Sequence, residues 1–162
     1  MKDRKATFGF GAFVTVVVSA SLATALVAGP AAGSHHQLNR KYTVALTGAQ
    51  EVPPGDADGV GTGVVQVKNK KGVVCVLLKK IGNIGAATMA HIHSGATGVA
   101  GPIVQTLVTP VLKGKKYQKS KTCVTLGPGA ALVVGLRDNP GGYYLNVHNM
   151  AFPDGAIRGQ IG

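Results

Sequence analysis

The stretch "GTGVVQVKNKKGVVCVLLKK", Gly61 to Lys80, decides the fold class of this chain. It contains two runs rich in β-branched residues, and the polar segment "KNKKG" separates them. β-Branched side chains favour extended backbone, and a short polar segment ending in glycine is typical of a tight connection between strands. The stretch therefore predicts a β-hairpin.

Further strands are predicted on both sides of this hairpin. Before it, "KYTVALTG" at 41–48 alternates apolar residues with polar or small ones, which is the pattern of a half-buried strand. After it, extended segments recur at short intervals between glycine-containing turns, at 88–94, 102–112, 120–126, 143–150 and 155–162. Pro110 has no amide hydrogen to donate, so it marks a sheet edge or a break.

One segment, 127–142, is ambiguous between strand and helix. Leu132, Val133 and Leu136 have helical spacing, and Pro140 stops whatever precedes it, so we predict one short helix within 128–138. Short strands with glycine turns predict an all-β fold, either a sandwich or a partly open barrel. The 162 residues suffice for one such domain, and we find no internal repeat.

The first 33 residues have the pattern of a secretory signal peptide. Three basic residues come first, an apolar run follows over 12–29, and small residues end it. The alternative is a retained membrane anchor, because the run is only slightly shorter than a bilayer span. We predict an exported protein, secreted or associated with the cell envelope, in three parts: a leader at 1–33, a linker at 34–41 and a domain at 42–162.

The chain is strongly basic, with a formal net charge of +11. Without the leader it keeps 14 basic and five acidic residues, a formal charge of +9. Such a charge favours anionic partners, here polymers of the cell envelope, with another extracellular protein as the alternative. Nucleic acid is not expected, because the protein is exported and has no tryptophan or aromatic-basic stripe for stacking bases. A membrane is a partner only if the leader stays uncleaved.

The two cysteines, Cys75 and Cys123, predict a disulfide, because an even count in an exported chain favours pairing. The alternative is two free buried thiols. A disulfide would draw together the lysines that flank the two positions. We therefore predict a basic patch for an anionic partner, although ordinary solvated strand ends would give the same pattern. Its members are Lys79, Lys80, Lys115, Lys116, Lys119 and Lys121.

Three histidines are candidates for a metal site. His91 and His93 are two apart in a predicted strand, so they point to the same face, and His148 lies in another strand segment. Three imidazoles on rigid strands suit zinc or copper, with a fourth position open for water or another ligand. The alternative is that these rings only donate hydrogen bonds to carbonyls and order the following loop.

Three blocks of the sequence resemble the CHRD domain, a module named after chordin and widespread as single copies in exported bacterial proteins. They are "ALTGAQEVPP" at 45–54, "AHIHSGATGVAGPIV" at 90–104 and "NPGGYYLNVHNMAFPDGAIRGQI" at 139–161. The resemblance implies an immunoglobulin-like or superoxide-dismutase-like Greek-key β fold and no established enzymatic activity. The last block usually carries glycine and glutamate where this chain has Asp154 and Ala156, so any role of that carboxylate is lost or moved.

Glu51, in the first block, is the carboxylate that the resemblance best marks. We predict it as a fourth metal ligand or as a partner of a ligand, with Asp138 and Asp154 as weaker candidates. Arg158 is predicted to fix the last strand by pairing with Glu51 or another carboxylate.

The predicted function is that of an exported binding or structural module with a three-histidine metal site. One alternative is an oxidoreductase like copper-zinc superoxide dismutase, whose copper-binding strand also carries a histidine-x-histidine pair. Only three histidines lie outside the leader and linker, too few for a dinuclear site with a bridging imidazole. The other alternative is a basic module that binds anionic polymers. No serine-histidine-aspartate arrangement for hydrolysis is visible, so no catalytic residue is predicted.

Overall fold

A computed structural model describes residues 39–112 and 116–162, so the predicted leader and most of the linker lie outside the described residues. The described part of the chain forms nine strands and one α-helix, α1, at Ala131–Asp138. The strands are β1 Arg40–Thr47, β2 Val60–Lys68, β3 Val73–Gly82, β4 Ala87–Ser94, β5 Ile103–Thr106, β6 Val111–Leu112, β7 Gln118–Thr125, β8 Tyr143–Asn149 and β9 Ile157–Gln160.

All nine strands belong to one curled antiparallel sheet with the order β5-β4-β8-β9-β1-β2-β3-β7-β6. The last strand, β9, lies beside the first, and the order β9-β1-β2-β3 is that of a Greek key. The β1–β9 joint has one registered pair, Thr47 with Arg158, so it is a narrow seam between two broader parts of the sheet. The predicted all-β class is confirmed.

The core lies inside the curl, where alternate residues of both parts of the sheet meet. Leu46 of β1 and Val65 of β2 come from one part, and Ile92 of β4 and Leu145 of β8 come from the other; all are buried. The inward-facing residues therefore hold the two parts together more than the seam does, because burial of apolar area is the larger stabilising effect.

The predicted local elements are found close to their expected positions. The connection of the β2–β3 hairpin is a 3₁₀ turn at Asn69–Lys71, followed by Gly72 with the left-handed φ of 60° that glycine tolerates. Pro110 lies between β5 and β6 and marks the predicted break. Helix α1 confirms the predicted helix, and the Tyr42 hydroxyl ties it to β1 by donating to the carbonyl of Leu136 at 2.6 Å.

Gly159 marks the closest approach of β9 to β1. A Cβ at this position would overlap the carbonyl oxygen of Ala45 and a methyl group of Val44. Because the carbonyl belongs to the backbone at the seam, it cannot move without disturbing the strand pairing. We expect Gly159→Ala to lower the free energy of unfolding by about 2 kcal/mol in urea denaturation.

Gly129→Ala is the matched control, since Gly129 is exposed and an added Cβ there meets no atom within 4 Å. It should change the stability by less than about 0.5 kcal/mol. Equal unfolding midpoints for the two variants would show that the seam is not tightly packed.

Candidate metal centre

The pairing of β4 with β8 brings the three histidines together. His91 lies opposite Asn146, His93 lies opposite Tyr144, and His148 lies opposite Met89. Side chains alternate along a strand, so these positions point away from the core, to the outer face of the sheet. One ligand nitrogen from each histidine can be chosen so that all three lie within 4.8 Å of one another.

Two loops cover this outer face. His91, His93 and His148 are only 4%, 8% and 6% exposed, although they lie outside the apolar core. The loop at 95–102, between β4 and β5, places the carbonyl of Gly101 at 2.7 Å from His93 Nδ1. The loop between β8 and β9 places the carbonyl of Pro153 at 2.8 Å from His148 Nδ1. The histidines therefore form a buried polar layer between the sheet and two loops.

These carbonyl contacts fix the tautomers of two rings. A carbonyl oxygen only accepts, so Nδ1 of His93 and Nδ1 of His148 each carry a hydrogen, and in the neutral ring Nε2 keeps its lone pair. His93 Nε2 is buried and has no hydrogen-bond partner. His148 Nε2 lies 3.1 Å from His91 Nδ1 and 3.1 Å from Asn146 Oδ1.

The surroundings keep His91 and His148 neutral. Burial, together with the nearby rings of His148 and His93, lowers the pKa of His91 from 6.5 to about 4. Burial also lowers the pKa of His148, although its hydrogen bond to the Pro153 carbonyl partly offsets this. Neutral imidazole is the form that coordinates a metal ion, so these rings are ready to bind at neutral pH without first losing a proton to water.

Arg158 fixes the last strand, but not through the ion pair that the sequence predicted. Its guanidinium donates to the carbonyls of Val99 and Ala96, each at 2.9 Å, and its Cζ lies 3.4 Å from the ring centre of Tyr144. Within 39–112 and 116–162, a salt bridge links Arg137 to Asp138 and none involves Arg158. The turn carbonyls at 96 and 99 satisfy the donors that a carboxylate would otherwise fill. Arg158 therefore ties the 95–102 loop to β9.

Glu51 is buried close to Arg158 but is not brought to the histidines. Its side chain is 6% exposed, its Oε1 has no hydrogen-bond partner, and it lies against Gly155, where an added Cβ would overlap the carboxylate. Burial raises the pKa of Glu51 to about 7, although the charge of Arg158 acts in the opposite direction. In the described part of the chain, the group of side chains close enough to share an ion contains the three histidines and no carboxylate.

The two weaker carboxylate candidates lie elsewhere. Asp138 pairs with Arg137 at 2.6 Å, and Asp154 is exposed in the loop after Pro153. Sequence reasoning missed Asn146, whose position two residues before His148 gives it the same strand face. That spacing was the available signal.

The predicted disulfide is confirmed: Cys75 of β3 and Cys123 of β7 are directly paired across the sheet and bonded. Lys79, Lys119 and Lys121 are carried by the same two strands, on the outer face. The other predicted patch residues lie around them. Lys80 follows Lys79 with a positive φ of 54°, Lys116 lies 5.1 Å from the Tyr117 ring, and Lys115 is outside the described residues.

Fold and site together define a class: a small antiparallel β domain that carries a histidine cluster on its outer face beneath two loops. The family model of the CHRD domain matches residues 42–161. The chain therefore belongs to the CHRD-domain family, as the sequence blocks indicated. Neither the curated proteins nor the solved structures contain a match.

The disulfide and the CHRD domain are compatible with an extracellular location. Among the helices formed by the described residues, none has the length and apolar character needed to cross a membrane.

The buried carboxyl of Glu51 predicts a specific pH dependence of stability. Its pKa is about 7 in the folded protein against 4.5 in the unfolded chain, so ionisation favours unfolding. The neutral form stabilises the fold below about pH 4.5, and this advantage is lost as the pH rises through 7. Relative to Glu51→Gln, the wild-type free energy of unfolding should fall by on the order of 3 kcal/mol between pH 4.5 and pH 8.

Urea unfolding of both proteins across this range measures the difference directly. Asp154→Asn removes an exposed carboxylate from the neighbouring loop and should follow the wild-type curve above pH 5. Parallel curves for wild type and Glu51→Gln would contradict the buried position of Glu51.

Proposed function

We propose that this CHRD domain binds one transition-metal ion, zinc or copper, through His91, His93 and His148. The observation that carries the proposal is the convergence of three imidazoles within 4.8 Å, two of them oriented by backbone carbonyls. Imidazole nitrogen suits both metals. A ligating histidine almost always donates its other N–H to a carbonyl, a carboxylate or water, which fixes the ring and its tautomer.

A purely structural role for the histidines leaves one atom unexplained. His93 Nε2 is buried without a partner, and an unsatisfied buried acceptor costs about 1–3 kcal/mol. Hydrogen bonding within the cluster satisfies His91 Nδ1 and His148 Nε2 but not this nitrogen. A metal ion in the cluster would accept the lone pair of His93 as well, so metal binding accounts for all three rings.

The ligand set supports a binding or structural module more than an enzyme. Three histidines and no carboxylate converge in the described part of the chain, which fits one ion and not a dinuclear redox centre. We place the module outside the cytoplasm, supported by the leader pattern at 1–33 and by the disulfide.

Metal titration of the untagged domain, expressed without the leader, tests the proposal. One equivalent of Zn²⁺ or Cu²⁺ should bind, and a metal concentration 100 times the Kd should stabilise the fold by about 2.7 kcal/mol. His93→Gln and His148→Gln should each weaken binding by roughly 100-fold while keeping the wild-type circular dichroism spectrum. Binding should also weaken below about pH 6, because protons compete for the imidazoles.

His35→Gln combined with His36→Gln is the matched control, since these histidines precede the strands and should leave the affinity unchanged. Metal content and superoxide turnover are measured on the same samples. Failure of the wild-type domain to bind either ion would refute the proposal, and turnover with bound copper would favour the oxidoreductase.

We further propose a second function for a different surface, the binding of an anionic polysaccharide of the cell envelope. The outer face of β1, β2, β3 and β7 carries five lysines. The register makes this face continuous, because Gln66 pairs with both Lys41 and Cys75, and Cys75 pairs with Cys123. No acidic residue occurs in these four strands. The five residues, here called the lysine face, are Lys41, Lys68, Lys79, Lys119 and Lys121.

The chemistry of the lysine face favours a flexible polyanion without aromatic bases. Lysines act as compact point charges, and their flexible stems suit irregularly spaced anionic groups. The residues between them are neutral, among them Gln66 and Leu77, and none is aromatic. Base stacking is therefore not supported, whereas carboxylate, sulfate or phosphate groups along a sugar chain would be attracted.

Heparin, a soluble sulfated polysaccharide, is the probe for this surface. Lys119→Gln with Lys121→Gln should weaken heparin binding roughly tenfold at low salt, because each lost contact releases fewer counterions. Arg40→Gln with Lys116→Gln removes the same charge away from the lysine face and should change affinity less than about twofold. Equal losses in both double variants would show that net charge alone drives binding.

A further inference from the structure

We infer that Asn146 supplies the fourth ligand of the histidine centre through its side-chain oxygen, which makes the site closed and four-coordinate. This inference rests on the proposed metal binding. Asn146 is 2% exposed and lies directly opposite His91 in the β4–β8 ladder. Its Oδ1 is 3.1 Å from His148 Nε2, so the oxygen is already at the edge of the cluster.

The contact between Asn146 and His148 joins two acceptors. His148 donates Nδ1–H to the Pro153 carbonyl, so its Nε2 carries a lone pair, and the amide oxygen of Asn146 also only accepts. Two acceptors at this distance do not bond to each other, but both can bond to a cation placed between them. Without an ion, the amide can turn to donate N–H to Nε2 instead, which keeps the metal-free site satisfied.

The distances match those between ligands of a tetrahedral ion. Zinc bonds to imidazole nitrogen at about 2.0–2.1 Å and to oxygen at about 2.0–2.2 Å, so neighbouring ligands lie about 3.3 Å apart. His148 Nε2 is 3.1 Å from His91 Nδ1 and 3.1 Å from Asn146 Oδ1, so both separations are close to that value. The His93 ring needs to approach further, and its Nε2 has no hydrogen bond to break.

Four protein ligands leave no position for an exchangeable water or a substrate. Such a centre would act structurally, by linking β4 to β8 and, through the carbonyls of Gly101 and Pro153, both covering loops. Closed four-coordinate sites with protein ligands are typical of structural zinc, whereas catalytic zinc keeps one position open. The inference thus identifies zinc as the resident ion and a structural role for it.

Cobalt(II) substitution with azide as a competing ligand tests the fourth position. Co²⁺ replaces Zn²⁺ in the untagged domain, and its visible bands report coordination number and the entry of azide. The wild-type bands should not respond to azide. Asn146→Ala should bind Co²⁺ roughly tenfold more weakly. Its bands should shift on azide addition, because the open position admits the anion.

Two further variants make the result specific. Asn146→Asp keeps an oxygen at the same place, so its bands should again resist azide and its affinity should equal or exceed that of wild type. Asn149→Ala removes another buried amide of the same strand, one that accepts from the Phe152 amide at 2.8 Å, and should keep the wild-type spectrum.

The failures are distinguishable. A wild-type domain that binds Co²⁺ but responds to azide would overturn the role of Asn146 and leave the three-histidine centre standing. Identical azide responses in wild type and Asn146→Ala would also overturn it. No binding of Co²⁺ or Zn²⁺ to the wild-type domain would refute both the centre and its fourth ligand.

Discussion

The antiparallel register between β4 and β8 is the constraint on which the centre depends. Pairing His91 with Asn146, and His93 with Tyr144, puts the polar side chains of both strands on one face and Ile92 and Leu145 on the other. A shift of one residue in either strand would exchange the two faces, burying imidazoles in the apolar core. Core packing therefore positions the histidines, because the apolar residues between them hold the register.

The outer face is buried because loops cover it, and Arg158 holds one of them. Its guanidinium reaches the carbonyls of Val99 and Ala96, so β9 and the 95–102 loop are connected by charge-assisted hydrogen bonds. Tyr144 contacts Arg158 and also stacks on the ring of His93 at 4.7 Å. The polar layer thus has its own packing, and each imidazole is fixed by neighbours on more than one side.

Strand positions and the disulfide could be predicted from the sequence, because they depend on local alternation and on a cysteine count. The nearness of His148 to His91 and His93 could be proposed only from an assumed topology, since strand pairing is non-local. The partners of Arg158 and Glu51 were not predictable from sequence. Backbone carbonyls in a turn accept the donors of Arg158, and such a turn leaves no signature in residue type. Asn146 was overlooked because amides are rarely considered as ligands.

The central claim is that three imidazoles from two strands share one ion. X-ray absorption at the zinc edge, on domain loaded with one equivalent of Zn²⁺, tests it most directly. The account predicts four nitrogen or oxygen neighbours at about 2.0 Å, with outer-shell scattering from three imidazole rings. A shell of six oxygen neighbours without imidazole scattering would contradict it, because the ion would then lie on the surface and not between β4 and β8.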